Sequence, residues 1–507
     1  MWRPGSVRLP VAALFATAVA SGSCTATTGP SFPLGAQPVP ASFTTLSVAA
    51  LPAACSGQVY FEASTSLCPP ALTYFLCDGI EYTEFDCAAP GPGWTEETLS
   101  QYDRVATGPS ACGTSTGAKG NSLGGTVYVE GNVATPGQNT VLAFRYCNGA
   151  LPSLLVGRYS TGGSGAADLN DSGILDADQQ LAVNAGQTLL FAVNQGSDTI
   201  AVFHVADDGS LSPVAGSPFS SGGVAPTSVG VSGDILVVAN KASDGVRNLS
   251  KVAPNYTTFS IGADGSMKPT GSTFALPAGW SPTQAFVAPG GKLVFGTEEH
   301  GMLRAFQLSP TGDLNQAPGS PFRLADSLFP VHRPQPVWPA GLSASPTQSV
   351  LYTGIPNNNS IAAFEYTSTG QLSLIGGTAD PNTLAPQLPC WSVVSADGRR
   401  LYFANAGSGN VSVWNTEMGP RLPHLLQTYQ LPGGGNPWGL RIDPTGKLLF
   451  VITPRQIHQV PEGQGQLLHG LRLAADGTID DVIDGSPVTI PVAPDTNPFG
   501  LAVVASR

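Results

Sequence analysis

The chain has 507 residues, a formal net charge of −12, and only 11% charged against 42% hydrophobic residues. That length suits two or more domains or one large repetitive one, and the apolar share suffices for a large core. The acidic balance excludes nucleic acid and anionic membrane surfaces as partners, since both need Lys/Arg footprints, while 61 glycines and 45 prolines point to turn-rich β structure.

The first segment reads as an export signal. Arg3 and Arg8 flank the start of an apolar run, "LPVAALFATAVA" (Leu9 to Ala20), and Ala18-Val19-Ala20 fits a small-residue cleavage site. This gives a signal peptide over residues 1–20, or over 1–23 if the chain is a lipoprotein with its lipid on Cys24. The apolar run is too short to span a bilayer, and no later segment is long enough. Either reading exports the mature chain as a secreted, periplasmic or lipid-anchored protein. Residues 21–50, rich in Ser, Thr, Ala and Pro, read as a flexible linker.

Residues 51–118 read as a cysteine-rich region. Cys55, Cys68, Cys77, Cys87, Cys112 and Cys147 crowd together, while Cys390 stands apart. In an oxidising compartment the cluster implies about three disulfides, of undetermined pairing. A lipidated Cys24 would leave Cys390 as a buried thiol; otherwise all eight cysteines pair. Zinc is the rival reading, but no C-x-x-C spacing or nearby His supports it. The stretch "CPPALTYFLCDGIEYTEFDCAAPGPGW" loosely resembles chitin-binding modules of the peritrophin type. The competing reading is a small cap that needs staples because its core is small.

From residue 119 the chain repeats. The run "LLFAVN" (189–194) recurs as "ILVVAN" (235–240), "LVFGTE" (293–298), "VLYTGI" (350–355), "RLYFAN" (400–405) and "LLFVIT" (448–453), with "TVYVEG" (126–131) as a degenerate first copy. Tyr128, Phe191, Val237, Phe295, Tyr352, Tyr402 and Phe450 mark the repeat in steps of 63, 46, 58, 57, 50 and 48 residues. Four-stranded propeller blades have periods of about 40–50 residues, so these are blades with insertions. Each run is preceded by a turn such as "DPTGK" and followed by a second such as "ADDGSL", whose glycines supply the positive φ of tight hairpins. Alternating segments such as "TIAVFHV" and "SIAAFEY" suit half-buried strands. The fold class is therefore all-β, a seven-bladed propeller over residues 119–507. The final "NPFGLAVVA" (497–505) parallels "NPWGLRIDP" (436–444), which opens the seventh blade, so it is expected to complete the first blade and close the ring.

Units such as "SADGRRLYFANAGSGNVSVW" resemble the lactonase-type seven-bladed propellers, the family of 6-phosphogluconolactonases and fungal muconate-lactonising enzymes. The resemblance implies a Glu after a "GKFLYVVNE"-like strand, a His in a "PHxH"-like blade opening and an Arg in an "SNR"-like strand end. Here "GKLVFGTEE" places Glu299 at the first position, while "SPTQ" (281–284) lacks the His and "ANAG" (404–407) lacks the Arg. A substitute set is Glu299 and His300 in the fourth blade's turn with His332 and Arg333 in the next link, supplying acid, imidazole and guanidinium.

Two further patterns bear on function. Trp280, Trp338, Trp391, Trp438 and Phe499 recur at blade entrances, where they either stack on a small-molecule, sugar or protein ligand or pack as wedges. The loop "DLNDSGILDADQ" aligns with a calcium loop through Asp168, Asn170, Ser172, Ile174, Asp176 and Gln179, although Gln179 stands where a bidentate acid is wanted. Calcium is the one cofactor the sequence suggests, and none is required. Sequons start at Asn170, Asn248, Asn255, Asn358 and Asn410. One matched family position out of three favours a monomeric binding or surface scaffold over the alternative, a divergent lactone hydrolase.

Overall fold

The computed structural model describes residues 59–63, 72–76, 82–84, 124–147, 149–151, 155–166, 179–243, 252–298, 301–324, 337–379, 387–417, 422–455, 465–493 and 496–507. The chain divides into two compact units, Met1–Ser110 and Ala111–Arg507. In the first, β1 (Val59–Ala63), β2 (Leu72–Leu76) and β3 (Tyr82–Glu84) form an antiparallel sheet in the order β1-β2-β3. The signal segment, Cys24, the linker and every cysteine of the cluster except Cys147 lie outside the described residues. Cys147 ends a strand of the second unit, is 4% exposed and is disulfide-bonded.

The second unit is a ring of seven antiparallel sheets. Blade 1 contains β4 (Gly124–Glu130), β5 (Thr140–Cys147) and β6 (Leu155–Ser160). Blade 2 contains β7 (Leu181–Val183), β8 (Leu189–Asn194), β9 (Thr199–Val205), β10 (Leu211–Pro213) and the short β11 (Phe219–Ser220). Blade 3 contains β12 (Pro226–Ser232), β13 (Ile235–Asn240), β14 (Asn255–Ile261) and β15 (Met267–Ala275). Blade 4 contains β16 (Phe286–Val287), β17 (Leu293–Glu298), β18 (Met302–Leu308), β19 (Leu314–Gln316) and β20 (Phe322–Arg323). Blade 5 contains β21 (Leu342–Ala344), β22 (Val350–Ile355), β23 (Ser360–Tyr366) and β24 (Leu372–Ala379). Blade 6 contains β25 (Pro389–Val394), β26 (Arg400–Asn405), β27 (Asn410–Asn415) and β28 (His424–Gln430). Blade 7 contains β29 (Leu440–Ile442), β30 (Leu448–Thr453), β31 (Leu467–Leu473), β32 (Ile479–Val482) and β33 (Val488–Thr489). The last strand, β34 (Phe499–Ala505), pairs with β4, so the first blade is built from both ends of the unit and has no open inner edge.

Burial explains the strand sequences. The second strands β8, β13, β17, β22 and β30 are buried at every residue because a neighbouring blade covers each face. They therefore read as continuous apolar runs rather than alternating ones. The outer strand β28 has no such cover and alternates between exposed and half-buried residues. The core accordingly lies between blades. Tyr128 and Ala143 pack with Leu190 and Phe203, Phe191 and Val202 with Leu236 and Phe259, and Phe295 and Ala305 with Leu351 and Phe364.

A latch fastens neighbouring blades. The glycine of the third-to-fourth-strand turn has positive φ at Gly149, Gly209, Gly265, Gly312, Gly370 and Gly477, and in each case it abuts the preceding blade. Tyr128 Oη donates to the Gly209 carbonyl at 2.7 Å, Thr258 Oγ1 to that of Gly312 at 2.6 Å and Tyr402 Oη to that of Gly477 at 2.6 Å. In blades 2, 4 and 7 a Gly-Ser-Pro sequence adds a second device. Ser217, Ser320 and Ser486 each accept, through Oγ, the third-strand N–H of Val202, Ala305 or Gly470 at 2.9, 3.0 and 2.8 Å.

Candidate functional site: one polar face of the ring

First strands begin where second strands end. Pro226 faces Asn240, Pro389 faces Asn405, and Phe499 faces Glu130, while an isolated bridge joins Pro282 to Glu298. The blade entrances and the second-to-third-strand turns therefore share one face. Second strands end there in Glu130, Asn194, Asn240, Glu298, Ile355, Asn405 and Thr453, all at most 2% exposed. Most of these side chains clamp their own turn. Asn194 donates to Thr199 Oγ1 at 3.2 Å, Asn240 to Asn255 Oδ1 at 2.8 Å and Asn405 to Asn410 Oδ1 at 2.7 Å. In blade 7, Thr453 Oγ1 and His469 Nε2 lie 3.0 Å apart. His469 has no exposed surface, and burial depresses its pKa to about 3, so it is neutral.

Blades 3 and 4 give this face a charged arc. Glu298 accepts two hydrogen bonds from Arg304, at 2.7 Å from Nε and 3.1 Å from Nη2. Both residues are buried, and the guanidinium lies 5.5 Å from the Phe274 ring centroid and 5.7 Å from that of Trp280. Lys241, 4% exposed, directly follows Asn240, with its backbone N–H donated to the Ala225 carbonyl at 2.9 Å. Glu299, His300, His332 and Arg333 lie outside the described residues. Arg304 and Lys241 were not singled out in the sequence. An arginine inside the buried run "MLRAFQL" and a lysine closing "ILVVANK" were the available signals.

The opposite arc, blades 6, 7, 1 and 2, is mostly uncharged. Trp391, Trp438 and Phe499, at successive entrances, form an edge-to-face ladder with centroid spacings of 6.0 and 5.7 Å. All three are buried in one apolar cluster, which matches the wedge role, whereas Trp280 and Trp338 are half-buried and stand apart from the ladder. The Trp391 and Trp438 Nε1 atoms are nonetheless buried without a hydrogen-bond partner, as are Gln180 Oε1, Asn436 Oδ1, Glu130 Oε2 and both polar side-chain atoms of Asn497. Glu130 accepts one hydrogen bond, at 2.9 Å from Asn139 Nδ2, and burial pushes its pKa well above the ordinary value, disfavouring the charged form.

Of the calcium candidates, Asp168, Asn170, Ser172, Ile174 and Asp176 lie outside the described residues. Gln179 accepts a hydrogen bond at 3.1 Å from Gln284, which also accepts from Leu342 N–H at 2.6 Å. These two glutamines link the entrances of blades 2, 4 and 5. Among the described residues no group of three His, Cys, Asp or Glu side chains is placed to hold a metal. The sequon residues Asn358 and Asn410 are buried and Asn255 is a half-buried strand residue; Asn170 and Asn248 lie outside the described residues.

This architecture is a seven-bladed β-propeller. Solved structures with the same fold include the Pseudomonas aeruginosa periplasmic gluconolactonase, at 16% identity over 75% of this chain and 100% of that one, with a TM-score of 0.55. A Bacteroides fragilis protein designated a 6-phosphogluconolactonase gives 17% identity over 76% and 99%, with a TM-score of 0.55. A Sulfolobus tokodaii protein designated selenium-binding gives 11% identity over 76% and 94%, with a TM-score of 0.53. No family model and no curated protein matches the sequence. At such identities the likeness is one of fold, and these designations differ among themselves.

Proposed function

We propose that this chain is an exported binding protein that takes a small polar ligand at the polar face, and that it is not a lactone hydrolase. The observation that carries the reading is the set of buried, unpartnered polar atoms gathered there. An unpartnered buried donor or acceptor costs about 1–3 kcal/mol, and a domain's whole stability is about 5–15 kcal/mol. Several such atoms in one arc mark this face as one whose polar groups the described residues leave unsatisfied. Export is supported by the amino-terminal signal and by the disulfide at Cys147.

The binding reading is preferred to hydrolysis because the described carboxylates of this face are not placed to work as bases. Glu298 is engaged bidentately by Arg304, and Glu130 is fully enclosed, where burial disfavours its charged form. Thermal melting against a panel of sugars, sugar acids and small lactones tests the reading. A ligand at a hundred times its Kd adds about 2.7 kcal/mol to the folded state, so at least one class is expected to raise Tm by a readable amount. A panel that leaves Tm unchanged throughout would overturn it.

A further inference from the structure

The blade that closes the ring holds an enclosed carboxyl group. Glu130 ends β4 and stands opposite Phe499 of β34 on one side and Val141 of β5 on the other. It is 1% exposed. Its Oε1 accepts one hydrogen bond, from Asn139 Nδ2, and its Oε2 is buried with no hydrogen-bond partner.

Asn139 has no exposed surface and is the hub of a buried network. Its Oδ1 accepts from the Val133 and Thr140 N–H groups at 3.0 and 2.9 Å, which holds the second-to-third-strand turn of blade 1. Its Nδ2 also donates to Asn194 Oδ1 of blade 2 at 3.0 Å. Thr161, in the link between the two blades, donates through Oγ1 to the same Asn194 Oδ1 at 2.6 Å and through its N–H to the Asn139 carbonyl at 2.9 Å. The Gly196 N–H of the blade 2 turn donates to the Ser164 carbonyl of that link at 2.9 Å. One amide thus ties Glu130 to its own turn, to the link and to blade 2.

The groups around Glu130 offer no cation to an ionised carboxylate. β4, β8, β34, the blade 1 turn and residues 161–166 carry no other charged side chain. On β5, Arg145 donates to the Asp208 carbonyl at the far end of the blade, and on β6, Arg158 donates to the Pro491 carbonyl. Asp198 of the blade 2 turn accepts from the Ala225 N–H in blade 3. The phenols of the blade 1 sheet, Tyr128, Tyr146 and Tyr159, are uncharged at neutral pH. An ionised Glu130 would need water or further donors, and both must enter between the turn and the link.

We propose that the seam between blades 1 and 2 is a proton-controlled latch, closed while Glu130 is neutral and opened at the polar face when Glu130 ionises and the Asn139 network gives way. The proposal does not depend on the binding reading above. Burial raises the Glu130 pKa above its ordinary 4.5. Its stabilising contribution is therefore complete below about pH 4.5 and is lost as the pH rises toward the higher folded value.

Urea unfolding of the mature protein and of Glu130→Gln between about pH 5 and pH 8 tests the proton. The wild-type unfolding constant is expected to rise relative to that of the variant by up to about tenfold per pH unit. Hydrogen exchange, corrected for its intrinsic pH dependence, tests the opening. In wild type the Asn139, Thr161 and Gly196 amides are expected to lose protection with rising pH beyond any loss at Ser345 and Tyr366 in blade 5, and in Glu130→Gln they are not. If Glu130→Gln does not fold, wild-type exchange at these five amides carries the test alone. Unfolding curves that stay parallel across the range overturn the proposal. So does seam protection that follows blade 5 at every pH, and neither result bears on the ligand panel.

Discussion

At the scale of single residues, this face shows how burial decides what a titratable group can do. Glu298 and Glu130 both end second strands and both are buried. Arg304 forks onto the first, whereas the second has a single amide donor against its desolvation and its pKa is pushed up. His469 is the neutral case. Its pKa is about 3 in the folded chain, against an ordinary 6.5. A depressed histidine pKa means that the unfolded chain gains a proton first as the pH falls. Stability linked to His469 is therefore complete above about pH 6.5 and is lost as the pH falls toward 3. Urea unfolding at several pH values should show wild type losing about 1.4 kcal/mol per pH unit more than His469→Gln between pH 6 and pH 4. Parallel curves would show that His469 is protonated in the folded chain.

At the scale of elements, the second strands and their turns were legible in the sequence, and the reason is physical. The six-residue runs from "LLFAVN" to "LLFVIT" coincide with β8, β13, β17, β22, β26 and β30 residue for residue, because strands covered on both faces are mostly apolar through their middle residues and turn polar toward their ends. The "ADDGSL" turns were legible as hairpins, but their latch role was not, since a glycine's sequence does not say what lies beside it. Gly209 has φ +81°, and a Cβ there would meet Thr126 Oγ1 at 2.0 Å. Gly209→Ala is thus expected to cost more than the about 1 kcal/mol of an ordinary glycine replacement, roughly 2–3 kcal/mol, and to loosen blade 2 from blade 1. Denaturant unfolding together with hydrogen exchange at Tyr128 and Val129 would read both effects. Gly233→Ala, whose φ is also positive but whose Cβ would meet nothing within 4 Å, is the control.

At the scale of the whole molecule, the ring was legible and the site only in part. The repeat period gave seven blades, and β34 beside β4 gives the unit a closed ring. The candidate residues Glu299, His300, His332 and Arg333 were chosen for chemical type along the chain. Arg304 and Lys241 lie in one arc of the face and Glu130 and Arg455 in the opposite one, so only the order of blades in the ring relates them. The entrance aromatics were legible as a repeat, yet Trp391, Trp438 and Phe499 pack as a buried ladder, so their ring faces are spent on blade packing and their polar edges are what remain. The central claim, a propeller that binds at this face without hydrolysing, is tested most directly by assaying a lactone panel that includes 6-phosphogluconolactone, with folded mature protein and a Glu299→Ala control. The account predicts no turnover above the spontaneous rate for either protein. Turnover by wild type that disappears in Glu299→Ala would contradict it and make the chain a lactonase.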